Sequence, residues 1–174
     1  GDHAPEFHAM TTQGKIDFPA DYKGSWVVLF SHPADFTPVC TTEFIALSRM
    51  NETFESLNTK LIGLSIDSLH SHLGWIKSIE ALNFNNEGKV KIPFPIIADI
   101  SMNVAKKYGM LQTVANTQTV RAVFIIDPEG IIRTILYYPM STGRNIPEII
   151  RILQSLQLND KTHYSTPANW QPKS

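Results

Sequence analysis

The sequence predicts an α/β domain in which a strand–helix–strand unit is followed by a helical insertion and then by a strand–strand–helix unit. Short apolar runs rich in β-branched residues alternate with stretches whose apolar residues recur every three or four positions. These patterns are typical of buried strands and of helices that face a core. A chain of 174 residues, 43% of them hydrophobic, is large enough for one such core, so a single domain is expected.

The first unit is predicted to be a parallel crossover. The run SWVVLFS at 25–31 indicates a buried strand, and LIGLSID at 61–67 indicates a second one. Between them, five apolar residues at helical spacing predict one helix: Phe44, Leu47, Met50, Phe54 and Leu57. A strand, a helix and a strand in this order favour a right-handed parallel connection.

The insertion is predicted to contain two helices. Ser68 is placed to cap the first one, in which four apolar residues share a face: Leu69, Leu73, Ile76 and Ile79. The second and shorter helix is expected to start near Ser101 and to stop at Gly109.

The last unit predicts an antiparallel hairpin and a final helix. The apolar runs of RAVFIIDPEGIIRTILYY are joined at 127–130, where proline presets a turn and glycine tolerates positive φ. Asn145 and Glu148 form a capping-box-like start for a helix with five apolar residues: Ile146, Ile149, Ile150, Leu153 and Leu156. In this order one hairpin strand lies antiparallel beside the first strand, which is the thioredoxin-like arrangement. Residues 1–157 are expected to form this domain, and the polar tail 158–174 is expected to begin an arm that docks elsewhere.

Composition argues against several classes of partner. Lys and Arg total 15 against 16 Asp and Glu, without a block of like charge, so neither nucleic acid nor a membrane surface is an expected partner. The longest apolar runs have the length of strands, and no signal-peptide pattern is visible. A single cysteine allows no internal disulfide and suits a reducing compartment, so a cytoplasmic location is expected.

That cysteine, Cys40, lies in SHPADFTPVCTTEF at 31–44, where the first strand leads into a helix. If Thr37 is the N-cap residue, Pro38 takes the first helical position and Cys40 the third. Unpaired backbone N–H groups and the helix dipole then favour a thiolate. A lone cysteine is more often a small buried apolar residue, so the neighbouring residues must decide between the two interpretations.

The segment HPADFTPVCTTE resembles the peroxidatic-cysteine loop of peroxiredoxins, whose pattern Pro-x-x-x-Thr-x-x-Cys is met by Pro33, Thr37 and Cys40. PVCTTE and the histidine before the proline, His32, are similar to the one-cysteine, peroxiredoxin 6-type subfamily of this AhpC/TSA family. The resemblance continues through KLIGLSIDS, FPIIAD, VRAVFIID, STGRN and TPANW. It implies a thioredoxin-like fold with the family's amino-terminal extension and helical insertion, and a carboxyl-terminal arm that extends past the TPANW segment.

The resemblance also implies a function: a thiol-dependent peroxidase that reduces hydrogen peroxide and small organic hydroperoxides in antioxidant defence. Cys40 is expected to attack the O–O bond and to become a sulfenic acid. Because the chain has one cysteine, an external thiol is expected as reductant, and no cofactor is expected. The resemblance implies a homodimer and leaves open whether dimers assemble into a decamer.

Three residues are expected to act with Cys40. Thr37 is expected to offer its hydroxyl near sulfur and substrate, although plain N-capping is an equal interpretation. Pro33 is expected to shield the site from water. Arg121 opens a strand antiparallel to the first one, which places it beside the cysteine loop, and its guanidinium suits both a thiolate and peroxide oxygens. The resemblance implies the same role for Arg121, whereas a strand-opening arginine is ordinarily solvated.

Three further residues are expected to bind substrate or to support the site. Glu43, one turn after Cys40, is expected to hold Arg121 in place or else to be a solvated helix residue. Arg144 in TGRN resembles a second arginine of the subfamily that reaches the pocket, or it only precedes the last helix. His32 is expected to orient substrate or assist proton transfer, or to be a hydrogen-bonded loop histidine.

Other functional classes remain as alternatives. An oligomeric thioredoxin-fold scaffold or holdase chaperone would not need the cysteine. A dithiol oxidoreductase is disfavoured because PVCT lacks the second cysteine of Cys-x-x-Cys. No metal is assigned, because His70 and His72 are two residues apart and point to different faces of a helix.

Overall fold

The computed structural model describes residues 1–111 and 119–173. The chain divides into two compact units, Gly1–Arg144 and Asn145–Ser174. The first unit contains the whole sheet, and the second consists of a helix and the polar tail. No helix in these described ranges is both long enough and apolar enough to cross a membrane.

The first unit is built on one sheet of seven strands in the order β2-β1-β5-β4-β3-β6-β7. The strands are β1 Phe7–Thr11, β2 Gly14–Phe18, β3 Trp26–Ser31, β4 Thr59–Ser65, β5 Ile96–Ala98, β6 Arg121–Ile126 and β7 Ile132–Tyr138. β3 pairs with β4 in parallel and with β6 in antiparallel orientation. The predicted parallel crossover, the hairpin and the antiparallel neighbour of the first strand are therefore confirmed, and so is the predicted fold class.

The helices are α1 Pro38–Arg49, α2 Asn51–Ser56, α3 Leu69–Ala81, α4 Asn103–Lys107 and α5 Ile146–Thr162. The prediction of a single helix between the first two strands is wrong, because α1 ends at Arg49 and α2 begins at Asn51, with Met50 between them. Apolar periodicity conceals this break, since residues on both sides of it, Leu47 and Phe54, are buried. The predicted cap of α3 is confirmed, because the Ser68 hydroxyl accepts a hydrogen bond from the Ser71 N–H at 3.1 Å.

Three strands were not predicted. β1 and β2 form a hairpin in which buried and exposed residues mix, so they lack a continuous apolar run. β5 has only three residues. It is held in the sheet by parallel pairing with β4 and by the pairing of Ile97 with Thr11 of β1. α4 is also shorter than expected. The Asp99 carboxylate accepts the backbone N–H of Val104 and of Ala105, which sets where this helix starts.

The fold brings the start of β6 to the end of β3. Every residue of both strands is buried, so both strands lie within the core. Phe30 lies opposite Val123 in the antiparallel register. If this register is continued by two residues, forward from Phe30 and backward from Val123, His32 lies opposite Arg121. The loop 32–37 then leads directly into α1. This arrangement places the first residue of β6 beside the cysteine helix, as predicted.

The second unit begins with the predicted cap, because the Asn145 side chain accepts the Glu148 N–H at 3.1 Å. α5 continues to Thr162, beyond the expected start of the tail at Leu158. The polar residues of this stretch gave no apolar periodicity, yet they extend the helix until His163, whose backbone is left-handed at φ 62°. The boundary between a domain at 1–157 and an arm at 158–174 remains a prediction, and Ser174 lies outside the described residues.

Candidate active site

Cys40 is the third residue of α1 and is fully buried. Thr37 is the N-cap residue in extended backbone conformation, and Pro38 takes the first helical position, as predicted. The Thr37 hydroxyl does not cap the helix, however. It donates to the carbonyl oxygen of Ala34 at 3.0 Å, so the plain N-capping interpretation is wrong for this side chain.

Arg121 donates directly to the cysteine sulfur. Its Nη1 lies 3.2 Å from Cys40 Sγ and 2.6 Å from Glu43 Oε1, and its Nε donates to the Met140 carbonyl at 2.9 Å. The residue is only 3% exposed, so Arg121 is not the solvated strand residue that its position alone suggests. The guanidinium is held on three sides and has one orientation toward the sulfur.

Glu43 joins two arginines. One of its oxygens accepts from Arg121, and its carboxylate also accepts three bonds from Arg144, through the backbone N at 2.8 Å, Nε at 2.7 Å and Nη2 at 3.1 Å. Arg144 also donates from Nη1 to the Ala122 carbonyl, and its guanidinium lies over the Phe30 ring. Both residues are buried. Glu43 is therefore not a solvated helix residue, and Arg144 does more than precede the last helix.

The loop between β3 and α1 places the other two predicted residues. Pro33 is buried there. His32 is also buried, and its Nε2 lies 2.6 Å from Asp35 Oδ1. The second oxygen of Asp35 lies 2.6 Å from Nδ1 of His72, on α3. His32 is therefore a hydrogen-bonded loop histidine, and it belongs to a buried cluster with Asp35 and His72.

Sequence reasoning missed Asp35 and His72. It paired His72 with His70, which is exposed, and not with His32. A signal was present, because His72 shares the inward face of α3 with Trp75 and Ile79, and all three are buried. A histidine on such an apolar face needs partners, which the sequence alone does not identify.

Comparison with known proteins identifies the same family as the resemblance of the cysteine loop does. Residues 1–135 match the model of the AhpC/TSA family. A peroxiredoxin of Methanosarcina mazei is 63% identical over 174 residues, which cover 99% of this chain and 80% of that protein.

The chain belongs to the AhpC/TSA family. It is a peroxiredoxin, a thiol-dependent peroxidase. The structure of yeast mitochondrial 1-Cys peroxiredoxin is similar with a TM-score of 0.89 and 46% identity, covering 98% of this chain and 82% of the yeast chain. Peroxiredoxin 6 of Arenicola marina is similar with a TM-score of 0.90 and 41% identity, covering 99% of this chain and 79% of that one. These similarities do not favour the scaffold or holdase alternative.

The charges around Cys40 in this peroxiredoxin do not balance while the cysteine is a neutral thiol. Two buried guanidinium groups, of Arg121 and Arg144, share the single carboxylate of Glu43. Burial by itself would raise the pKa of Glu43, but Arg144 first and then Arg121 outweigh it, and the pKa lies below its ordinary value. Glu43 is thus ionised at neutral pH, and one positive charge is left beside the sulfur.

Proposed function

We propose that Cys40 is the nucleophile that reduces the peroxide. The observation that carries this proposal is the 3.2 Å contact from Arg121 Nη1 to Cys40 Sγ within a buried cluster of net positive charge. The thiolate attacks one peroxide oxygen, so an S–O bond forms and the O–O bond breaks. Sulfur loses two electrons and becomes a sulfenic acid. The proton of the attacked oxygen passes to the other oxygen, which leaves as water or as an alcohol, and the sulfenate takes up a proton from solvent.

The neighbouring side chains stabilise negative charge and position the reacting groups. Arg121 stabilises the thiolate and the negative charge that develops on the leaving oxygen. Glu43 and Arg144 are positioning residues that keep the Arg121 guanidinium directed at the sulfur. The Thr37 hydroxyl turns from the Ala34 carbonyl to the substrate during the reaction.

Two further residues of the loop support this chemistry. Pro33, buried ahead of α1, excludes water from the site. His32 provides an imidazole nitrogen for proton transfer or for orienting the peroxide. Hydrogen peroxide and small organic hydroperoxides are the proposed substrates, and no cofactor takes part.

The sulfenic acid is proposed to be reduced by a thiol from outside the chain. Cys40 is the only cysteine of residues 1–174, and a sulfenic acid needs a second thiol to condense into a disulfide. The yeast relative resolves its thiol through glutathione and thioredoxin systems, which supports a reductant of that kind here. A reducing compartment is needed to supply it, and we propose the cytoplasm.

Peroxide turnover by wild type and by Cys40→Ser tests the nucleophile. The serine variant should lose turnover while keeping its fold, because serine closely matches cysteine in size. Mass spectrometry after one equivalent of peroxide should show one added oxygen on Cys40, and an added dithiol should remove it. Metal-free turnover by Cys40→Ser would show that the chemistry lies elsewhere.

A homodimer through the edge of the sheet is proposed as the functional assembly. β7 is an edge strand, and it exposes two large apolar side chains, Ile135 and Tyr137. An edge of this kind pairs readily with a second copy of the same strand. The other edge strand, β2, is a less suitable interface because it exposes the charged residues Lys15 and Asp17 and no large apolar side chain. A decamer of five such dimers is the larger assembly to be tested.

A further inference from the structure

Asp35 lies between two histidines in the interior of the protein. One carboxylate oxygen is 2.6 Å from His32 Nε2 and the other is 2.6 Å from His72 Nδ1. The three side chains are at most 1% exposed. Two more contacts hold Asp35: its second oxygen also accepts from the Ser71 hydroxyl, and its backbone N–H donates to Asp67. The cluster therefore joins the cysteine loop to the start of α3.

The partners of His72 assign its protons. Its Nε2 lies 2.9 Å from the Ile97 carbonyl oxygen, which can only accept, so Nε2 carries a hydrogen. Burial alone would raise the pKa of Asp35, but hydrogen bonds from His32 and His72 outweigh it and hold this pKa far below the ordinary range. Because Asp35 is then ionised, the hydrogen in the short contact belongs to His72 Nδ1. Both ring nitrogens of His72 therefore face oxygen acceptors, Nδ1 the Asp35 carboxylate and Nε2 the Ile97 carbonyl.

His32 is neutral. Burial lowers its pKa, with smaller contributions from the charges of His72 and Arg144, and these outweigh the Asp35 carboxylate, which would raise it. Neutral His32 donates to Asp35 through Nε2, so its Nδ1 carries a bare lone pair. Within the described residues this buried atom has no hydrogen-bond partner. The ring is enclosed by Phe44 and Trp75, whose ring centroids lie 5.1 and 4.9 Å away.

The contact distances in this cluster are those of hydrogen bonds. His32, Asp35, Asp67 and His72 offer ligand atoms within 4.8 Å of one another, which is compact enough to suggest a metal site. Neighbouring ligands of a tetrahedral zinc ion lie roughly 3.3 Å apart, given metal–ligand bonds of about 2.0 Å. The two N···O contacts of 2.6 Å are shorter than that and are those of charge-assisted hydrogen bonds.

We propose that Asp35 and His72 are positioning residues of the peroxidase site, which hold His32 in one orientation and in the Nε2–H tautomer. Their effect is to keep a buried acceptor, His32 Nδ1, free in the loop that carries Cys40. This proposal rests on the proposed part of His32 in the reaction. The free lone pair is the group that receives a hydrogen bond or a proton from the O–H of the peroxide.

Removing His72 should make the tautomer of His32 depend on pH. Asp35 would lose the hydrogen bond from His72, and burial would then raise the pKa of Asp35. Once Asp35 is protonated, its hydroxyl needs an acceptor, so His32 Nε2 becomes that acceptor and the ring proton moves to Nδ1. In wild type Asp35 stays ionised and the free Nδ1 persists on acidification.

The test compares His72→Gln with His70→Gln, a matched change at an exposed histidine two residues earlier. Ring nitrogen shifts of ¹⁵N-labelled protein should show protonated Nε2 and bare Nδ1 on His32 from pH 8 to pH 5 in wild type and His70→Gln. In His72→Gln the proton should move to Nδ1 as the pH falls. His72→Asn, whose amide overlays Nδ1 and still donates to Asp35, should restore the wild-type tautomer.

Peroxide reduction gives the second readout. The rate constant of His72→Gln divided by that of wild type should fall about tenfold from pH 8 to pH 5, because general acid–base groups contribute about a hundredfold or more. For His70→Gln, the rate constant divided by that of wild type should stay close to one at every pH. The nitrogen shifts can also be recorded in Cys40→Ser, so failure of this inference is distinguishable from failure of the proposed nucleophile.

Three outcomes would overturn the inference. One is a protonated Nδ1 on His32 in wild type. Another is the same His32 tautomer at all pH values in folded His72→Gln and Asp35→Asn. The third is stoichiometric Zn²⁺ binding that shifts the nitrogens of His32 and His72 together, which would make the cluster a metal site.

Discussion

At the scale of single residues, the proposed reactivity of Cys40 rests on a charge imbalance. Arg121 and Arg144 place two positive charges against the one carboxylate of Glu43 in a buried region. Of these groups, Arg121 makes the contact with the sulfur. The expected consequences of removing Arg121 and of removing Glu43 therefore differ. The proposed role of Arg121 is in the reaction, whereas loss of Glu43 removes the carboxylate that both guanidinium groups share.

Replacing Arg121 should slow peroxide reduction. Arg121→Ala removes a donor to the sulfur and to the developing oxyanion, and loss of one such donor costs about a hundredfold or more in rate. Arg121→Lys keeps the charge but not the fork of donors, so its rate should be intermediate. Stopped-flow fluorescence of Trp75, which packs against Phe44 one turn after Cys40, measures the first step. Arg49→Ala, at a partly exposed ion pair, is the control, and an Arg121→Ala rate within twofold of wild type would contradict this role.

Glu43 should stabilise the folded protein only above the acid range. Its folded pKa is lowered, so its contribution is present above the ordinary value of about 4.3 and is lost as the pH falls through the folded pKa. Glu43→Gln leaves two buried guanidinium groups unpaired and should lower the free energy of unfolding by about 3 to 5 kcal/mol at pH 7. The difference from wild type should narrow below about pH 4. Urea unfolding at pH 7, 5 and 3 measures it, and a constant difference would argue against an ionised Glu43.

At the scale of secondary-structure elements, the start of α1 is what presents Cys40. Pro38 is suited to the first position of the helix because the N–H that it lacks would have no partner there. Thr37 precedes it in extended conformation, and its hydroxyl is directed back into the loop at Ala34. The helix start therefore leaves its N–H groups free of a side-chain cap from Thr37, and these groups favour negative charge.

Thr37→Val should separate activity from stability. Since the hydroxyl caps no helix N–H, its loss should cost no more than one neutral hydrogen bond, about 1 kcal/mol in the free energy of unfolding. Peroxide reduction should fall about tenfold or more if the hydroxyl also meets the substrate, and Thr37→Ser should restore it. Urea unfolding and single-turnover rates on the three proteins measure the two effects. Equal rates for Thr37→Val and wild type would reduce Thr37 to a structural residue.

At the scale of the whole molecule, the sheet ends in β7, an edge that exposes apolar side chains. Ile135→Lys adds a charge to each copy of this edge, so two copies placed together would repel each other. Light scattering after size-exclusion chromatography should show a dimer for wild type and a monomer for Ile135→Lys. Ile100→Lys makes the same change at an exposed residue outside the strands and should remain dimeric. A dimer that persists in Ile135→Lys would place the interface elsewhere.

The sequence by itself determined the features that depend on neighbouring residues. The buried runs of β3, β4 and β6, the hairpin turn at 127–130, and the caps of α3 and α5 are all readable from local pattern, because periodicity and capping act over a few positions. The cysteine loop is equally local, so its resemblance to the peroxidatic loop identified the family. The position of Arg121 beside that loop followed from the antiparallel order of two strands.

Only the tertiary structure decided what joins distant parts of the chain. The short strand β5 exists because β4 and β1 pair with it, and the break between α1 and α2 is invisible in the apolar spacing that runs through it. Glu43 binds Arg144 across 101 positions of sequence, and Asp35 binds His72 across 37. Such polar contacts leave no periodic signal, because each depends on which side chains the folded backbone brings within hydrogen-bond distance.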